Sequence, residues 1–339
     1  MGETVVVAVD DPRWLRFVDA THDATAFHHP GWTRTLSDAY GFEPFVVAHV
    51  DAAEVVAGTP MVSLGRRRSR RWVALPFTDE CPPLGDAAHV RVLVEDIERV
   101  RATGDVESVE LRGGVGDAIG MPIVTGVIHE LTLDPDPANV RARLHPSQAR
   151  RNVDRARREG VEVTFATDRE ALLETFYRLH LLTRRRQGVP IQPRRFFARL
   201  WEHLVARGHG FVVVATLAGR PAAAALFLDG NHTLTYKFGA SDPDLLGARP
   251  NHAVFWAAIE WACLEGRTTF DMGRTDTENA GLRSFKSSWG AAERPLVYTS
   301  LGHTHATARD RARLLRPVIS HSPLVVCRAL GEALYRRAA

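Results

Sequence analysis

The chain has 339 residues, 45% of them apolar, which is too long for one ordinary domain and too apolar for a disordered chain. Its formal net charge of +3 argues against a general nucleic-acid coat, yet its 43 basic residues are nearly all arginine and cluster locally, as a phosphate-bearing partner would require. Three dispersed cysteines, Cys81, Cys263 and Cys327, argue against a disulfide framework or a structural zinc site and suit a reducing cytoplasm.

In chain order, "MGETVVVAVDDPRW" has neither the basic leader nor the apolar core of a signal peptide. "GWTRTLSDAYG" reads as a helix, and "FEPFVVAHVDAAEVVAGTPMVSL" (Phe42–Leu64) as strand, turn and strand. "HVRVLVEDIERVRATG" is an amphipathic helix ending at Gly104; "VESVELRG" and "TGVIHELTLDP" are strands. A domain boundary is expected near Asp134–Asn139, giving domains over 1–135 and 136–305 and a tail over 306–339.

The second domain opens with "PANVRARLHPSQARRNVDRARREG", a helix ending at Gly160, and the strand "VEVTFAT". Asp168 is a good N-cap for "REALLETFYRLHLLTRRRQG", with Gly188 just past the helix end. Phe196, Phe197, Leu200, Trp201 and Leu204 recur at helical spacing. "HGFVVVATLAGRPAAAALFL" is again strand, turn and strand. In the strand "HTLTYKFGA", alternation puts Tyr236 and Phe238 on one side and Lys237 on the other. "PNHAVFWAAIEWACLEG" is a helix apolar on nearly all sides, with Pro250 at its first turn. "TTFDMG" and "PLVYTSLG" are the last strands. In the tail, Leu314, Leu315, Val318 and Ile319 precede Leu324–Val326, Leu330 and Leu334, all flanked by arginine. This predicts two amphipathic helices broken near Pro323, which either pack on the body or lie on an anionic membrane. No run reaches the ~18 apolar residues of a membrane span.

Helix, strand, hairpin turn and strand therefore occur twice. Two copies of one α/β domain, each a mixed sheet flanked by helices, are the simplest account.

Four constellations could carry chemistry. Between Arg141 and Arg158 lie seven arginines and one acid, Asp154. Arg150, Arg151, Arg155 and Arg158 belong to this run, which either binds phosphates through guanidinium forks or is a solvated face. "TRRRQG" (Thr183–Gly188) puts three arginines in a last helical turn, where the helix dipole also favours them. Arg249 and Asn251 stand at the entrance to the buried helix, where backbone N–H groups can receive an anion. "FDMGRTDTENAGLRSFKSSWGA" places Asp271 at a strand end and Lys286 beyond a loop, where it could point back. His28 and His29 are adjacent and face apart, and His129 is isolated in a strand, so no metal site is expected.

Together, "ARRNVDRARREGVEV", "TRRRQGVP", "LTYKFGASDPDLLGARPNHAVFWAAIEWACLEGRTTFDMGR" and "GLRSFKSSWGA" resemble the FemA/FemB/FemX-type aminoacyltransferases of the GNAT acyltransferase superfamily. "FHHPGWTRTLSDAYGFEPFVVAHV" and "LPFTDECPPLG" resemble the family's first half, so the likeness covers about residues 20–302. It implies two tandem GNAT-like domains and transfer of an aminoacyl group from aminoacyl-tRNA to an amine on a small natural product or cell-envelope precursor, with no further cofactor. By the resemblance, Lys286 of the "FK" pair Phe285–Lys286 lies near the tRNA acceptor end. Arg186 meets the acceptor's phosphates and Tyr236 lines the site. The first-domain lysine of nucleotide-precursor-binding members is missing from "WTRTL", which has Arg34 and Leu36, and their aspartate is not apparent in "VELRGGVG". A small amine acceptor fits these losses.

The alternative donor is acyl-CoA, in polysaccharide or secondary metabolism. An acyl-CoA GNAT cradles pyrophosphate on consecutive backbone N–H groups, but "LLGARPNHAV" has one glycine, and Pro250 removes an N–H. Aminoacyl-tRNA is the donor expected. Lys286, as ammonium, would stabilise the oxyanion or the departing ribose oxygen, while Asp271 and Arg274 order the loop.

Overall fold

A computed structural model describes residues 2–65, 70–116, 119–303 and 316–337. Its chain forms two compact units. One runs to Val127 and takes back the strand that follows Pro295; the other holds Ile128–Arg294 and the C-terminal helices.

In the first unit, β1 (Glu3–Val7) is followed by α1 (Pro12–Ala20) and α2 (Pro30–Tyr40). Each helix takes a proline in its first turn, where the missing N–H costs nothing. Next come β2 (Glu43–Asp51), β3 (Glu54–Leu64), β4 (Arg71–Val73), β5 (Leu84–Gly85), α3 (Ala87–Ala102) and β6 (Ser108–Leu111). β1 to β4 pair in order, all antiparallel; β4 then runs parallel to β6, and α3 makes the crossover. Asp86 caps α3 by accepting the His89 N–H at 2.9 Å.

β7 (Met121–Thr132) carries the chain across the boundary. The second unit continues with α4 (Pro137–Arg143), α5 (Arg151–Arg158), β8 (Val161–Ala166), α6 (Tyr177–Gln187) and α7 (Arg194–His203). Then follow β9 (Gly210–Leu217), β10 (Arg220–Asp229), β11 (Thr233–Ser241), α8 (Pro250–Leu264), β12 (Thr269–Thr275) and α9 (Ala280–Ser287). β8 to β11 pair in order, antiparallel, and β11 runs parallel to β12 with α8 as the crossover. This is the first unit's scheme repeated, as in tandem GNAT-like domains. α8 covers one face of the sheet: Val254, Phe255, Ala258, Ile259 and Ala262 pack on Phe211, Val213, Ala215, Ala223, Ala225 and Phe227. Alanines on β10 let the helix approach closely, and this apolar burial is the main stabilising term.

Three local readings change in the structure. The helix expected from Pro137 to Gly160 breaks at Leu144–His145, because the residue before Pro146 is driven out of the helical region. A wide turn over Pro146–Arg150 then leads into α5. The helix expected after Asp168 is present: Asp168 caps it by accepting the Ala171 N–H at 2.8 Å, and its stretch Ala171–Phe176 is wound wider, as a π-helix, before α6. Tyr236 and Phe238 do not share a face. The β10–β11 register slips between Leu226 and Phe227, so Lys237 is the extra residue of a β-bulge. Tyr236 packs on Phe227 and Phe255 beneath α8, whereas Phe238 turns to His180, Phe196 and Phe197 on the other face. Finally, β13 (Ala292–Gly302), read from sequence with the second domain, pairs with β6 through Thr299–Gly302 in the first unit. No local pattern encodes that pairing.

In the tail, helices over Arg316–His321 and Leu324–Arg337 flank Pro323, and both pack on α6. Leu314 and Leu315 lie outside the described residues. Among the described residues no helix is long and apolar enough to cross a membrane.

Candidate functional site

β11 and β12 pair only from Thr233–Thr269 to Thr235–Asp271. Beyond that both strands continue, to Ser241 and Thr275, without being partners. Parallel strands that part at their C-terminal ends, with a helix starting between them, make the usual ligand crevice of an α/β sheet. Beside this opening, in the second unit, is a cleft of about 290 Å³. α5 and the turn before it supply Gln148, Arg151 and Asn152, α8 supplies Arg249 and His252, and α9 supplies Phe285.

The start of α8 sets the character of the cleft. Arg249 is the N-cap residue and is left-handed (φ 62°). Its amide donates to Leu246 O at 3.1 Å, and the His252 amide donates to Arg249 O at 2.9 Å. Pro250 has no amide hydrogen. Three of the four amides over 249–252 are therefore spent or missing, so an anion here would be held mainly by side chains. Arg151 and Arg249, both exposed, provide them.

His252 is the residue the sequence reading passed over. Its ring stacks on Trp289 (5.7 Å, 26°) and meets Phe285 edge-on (5.4 Å), and its Nε2 is 3.3 Å from Asn152 Nδ2. Burial, and secondarily the Arg249 charge, pull its pKa down to about 4, so the imidazole is neutral near pH 7. The available signal was a second polar side chain, next to Asn251, in the first turn of a helix apolar on nearly all sides.

Lys286, expected to face a reacting carbonyl, is 2% exposed. It does not line the cleft. Its Nζ donates to Gly273 O at 2.6 Å and Arg274 O at 3.3 Å, both past the last β11–β12 pair. The lysine thus holds the diverging end of β12. Its charge is felt nearby: His129, whose Nε2 lies 3.1 Å from Glu293 Oε2, has its pKa lowered by burial first and by Lys286 second. Glu293 also binds Arg283 of α9 through both oxygens, at 2.8 and 2.7 Å, and this holds its pKa down.

The other expected residues are dispersed. Phe285, Arg249 and Arg151 meet at the cleft. Asn251 sits beside them in the first turn of α8 but is not part of the lining. Arg150 turns away and closes α4, donating to Arg141 O and Ala142 O at 3.1 and 2.7 Å. Arg155 pairs with Glu159 at 3.2 Å, and Arg158 lies two turns along α5. Arg186 is exposed in the last turn of α6, outside the cleft. Tyr236 sits on the α8 side of the sheet with its hydroxyl against Gly239, where a Cβ would clash with the oxygen. Burial raises its phenol pKa. Asp271 accepts the Gly273 N–H at 2.7 Å, and Arg274 pairs with Asp276 at 3.0 Å, so both order the strand end and its loop. Among the described residues no cluster of histidine, cysteine and carboxylate side chains could hold a metal ion.

Residues 143–287 match the acetyltransferase (GNAT) domain family. The whole fold is similar to the crystal structure of FemX, with a TM-score of 0.72 at 14% identity over 93% of this chain and 100% of that one. The chain carries a GNAT domain within a FemAB-like fold. The FemAB-like likeness extends to sequence: a stretch of 75 residues is 36% identical to the lipid II:glycine glycyltransferase of Staphylococcus epidermidis, covering 20% of this chain and 18% of that protein. The fold is also similar to that of L-PGS from Bacillus licheniformis (TM-score 0.55, 11% identity, 93% and 99% of the two chains). A tandem GNAT protein from the clavulanic acid biosynthesis pathway is similar too (TM-score 0.53, 13% identity, 90% and 100%).

Proposed function

We propose that the chain transfers an aminoacyl group from aminoacyl-tRNA to an amine, forming an amide, and that the cleft of the second unit receives the 3′ end of the tRNA. The observation that carries this reading is the start of α8. An acyl-CoA enzyme of this fold would offer a row of amides to a pyrophosphate, but here three of the four amides over 249–252 are spent or missing. Guanidinium groups beside an aromatic wall suit a single-stranded nucleic-acid end, which is held by phosphate contacts and ring stacking. The arginines of α5 extend a basic path away from the cleft.

In the reaction the amine nitrogen attacks the ester carbonyl carbon. A C–N bond forms, the C–O bond to the ribose breaks, the nitrogen loses a proton and the ribose oxygen gains one. An amine needs little activation beyond positioning, and the neighbouring ribose hydroxyl can relay the proton. Lys286 acts as a positioning residue: through Gly273 O and Arg274 O it keeps the end of β12 apart from β11, and its charge lies under the opening. A small natural-product or cell-envelope amine is the acceptor class.

The test uses hydroxylamine as a generic amine, with aminoacyl-tRNA or acetyl-CoA as donor. The reading requires chain-dependent aminoacyl hydroxamate above the uncatalysed rate, abolished when RNase destroys the tRNA. RNase-resistant product that needs acetyl-CoA would replace it with the acyl-CoA reading.

A further inference from the structure

Resting on that reading of the cleft, we propose that its polar wall is an adenine-selective nucleotide subsite, in which Asn152 reads the base edge. The residues needed are in place. Asn152 Nδ2 is 3.3 Å from His252 Nε2. That bond uses one amide hydrogen and leaves the other, next to Oδ1, as an adjacent donor and acceptor. Adenine presents the complement, an N6–H donor beside the N7 acceptor, and a side-chain amide is the usual bidentate reader of that pair. Guanine offers two acceptors, N7 and O6, along the same edge, which would set O6 against Oδ1.

The rest of the lining fits one nucleotide. His252 is fixed by Trp289 behind it and Phe285 beside it, so the base meets an ordered aromatic surface. Because His252 is neutral, it adds no repulsion to the electron-poor edge of the ring. Arg151 and Arg249 flank this wall and can hold the phosphates on either side of the nucleoside. Gln148, on the same rim, offers a second amide. An adenosine nucleotide is the shared chemistry of a tRNA 3′ end and of CoA, so the subsite is defined without choosing between them.

The experiment titrates the full-length protein with AMP, GMP and CMP by calorimetry, in parallel with Asn152→Leu, Asn152→Asp and Arg249→Ala. AMP is expected to bind about tenfold tighter than GMP or CMP. Asn152→Leu should erase that preference at an unchanged melting temperature, and Asn152→Asp should erase it even if the leucine variant unfolds. Arg249→Ala should weaken all three nucleotides alike. Competition of AMP by the trinucleotide CCA, or by CoA, supports the subsite and identifies the source. Equal binding of the three mononucleotides, or a preference that survives both Asn152 variants, overturns it. Selective AMP binding without transfer would leave this inference standing and sink the transferase reading; transfer without base preference would do the reverse.

Discussion

The two units share one strand order, but the ends of their parallel strand pairs differ: those of the second part beside the cleft, and those of the first are bridged by a few side chains. In the first unit, β4 and β6 are parallel as β11 and β12 are. Beyond their paired residues the gap is closed. Ala74 N donates to Glu110 O, and Cys81 bridges to Arg112. The Arg112 guanidinium donates to Thr78 O at 2.5 Å and lies 5.1 Å from the Tyr298 ring. The crossover helices differ as well. α3 begins with an acid, Asp86, that occupies the helix's own donors, whereas α8 begins with Arg249. An acidic cap repels an anion where a cation attracts one. The same strand scheme thus ends in a bridged pair in one unit and beside a cationic cleft in the other.

The largest effect should come from making the second unit resemble the first. Arg249→Asp puts an acid at the start of α8 and should weaken binding of a tRNA acceptor-stem RNA on the order of a hundredfold, read by fluorescence anisotropy. Lys286→Ala comes next. It removes a buried ammonium from two carbonyl oxygens, so stability should fall by about 2–3 kcal/mol in urea melts and transfer should fall with it. Loss of transfer at full stability would instead return the lysine to a direct role at the reacting carbonyl.

Acid should affect both units. His28 in the first, and His180 and His252 in the second, have folded pKa values lowered by burial to about 4, 3 and 4, against an ordinary 6.5. Between those values the unfolded chain binds more protons than the folded one. Stability should be complete above pH 6.5 and fall as the pH drops through 6.5 toward 4; a melting temperature flat across that window would contradict the three neutral assignments. Opening the closed gap by Arg112→Ala should cost about 1–3 kcal/mol of stability and leave transfer unchanged. The smallest effect is Asp86→Ala, a slight loss of thermal stability from an uncapped α3, again with no change in transfer.

The sequence exposed the duplication because hairpins and helix ends are local: Pro250 starts α8, and Gly188 ends α6 in the left-handed region (φ 68°). What it concealed was not local. The bulge at Lys237 is a mismatch between two strands, invisible to alternation within one, and it sends Phe238 to the opposite face. The pairing of β13 with β6 joins residues almost two hundred positions apart. In the site, Arg249, Phe285 and Arg151 were legible by residue type. Lys286 was found, but its burial depends on where β12 ends, and His252 gained significance only once Asn152 and Trp289 surrounded it.

The most direct measurement compares binding of an aminoacylated acceptor-stem RNA to the wild-type protein, Arg249→Asp and Asp86→Ala, each shown folded by its melting curve. Donor binding in the second-unit cleft requires a large loss with Arg249→Asp and none with Asp86→Ala. Equal binding by wild type and Arg249→Asp would place the donor somewhere else.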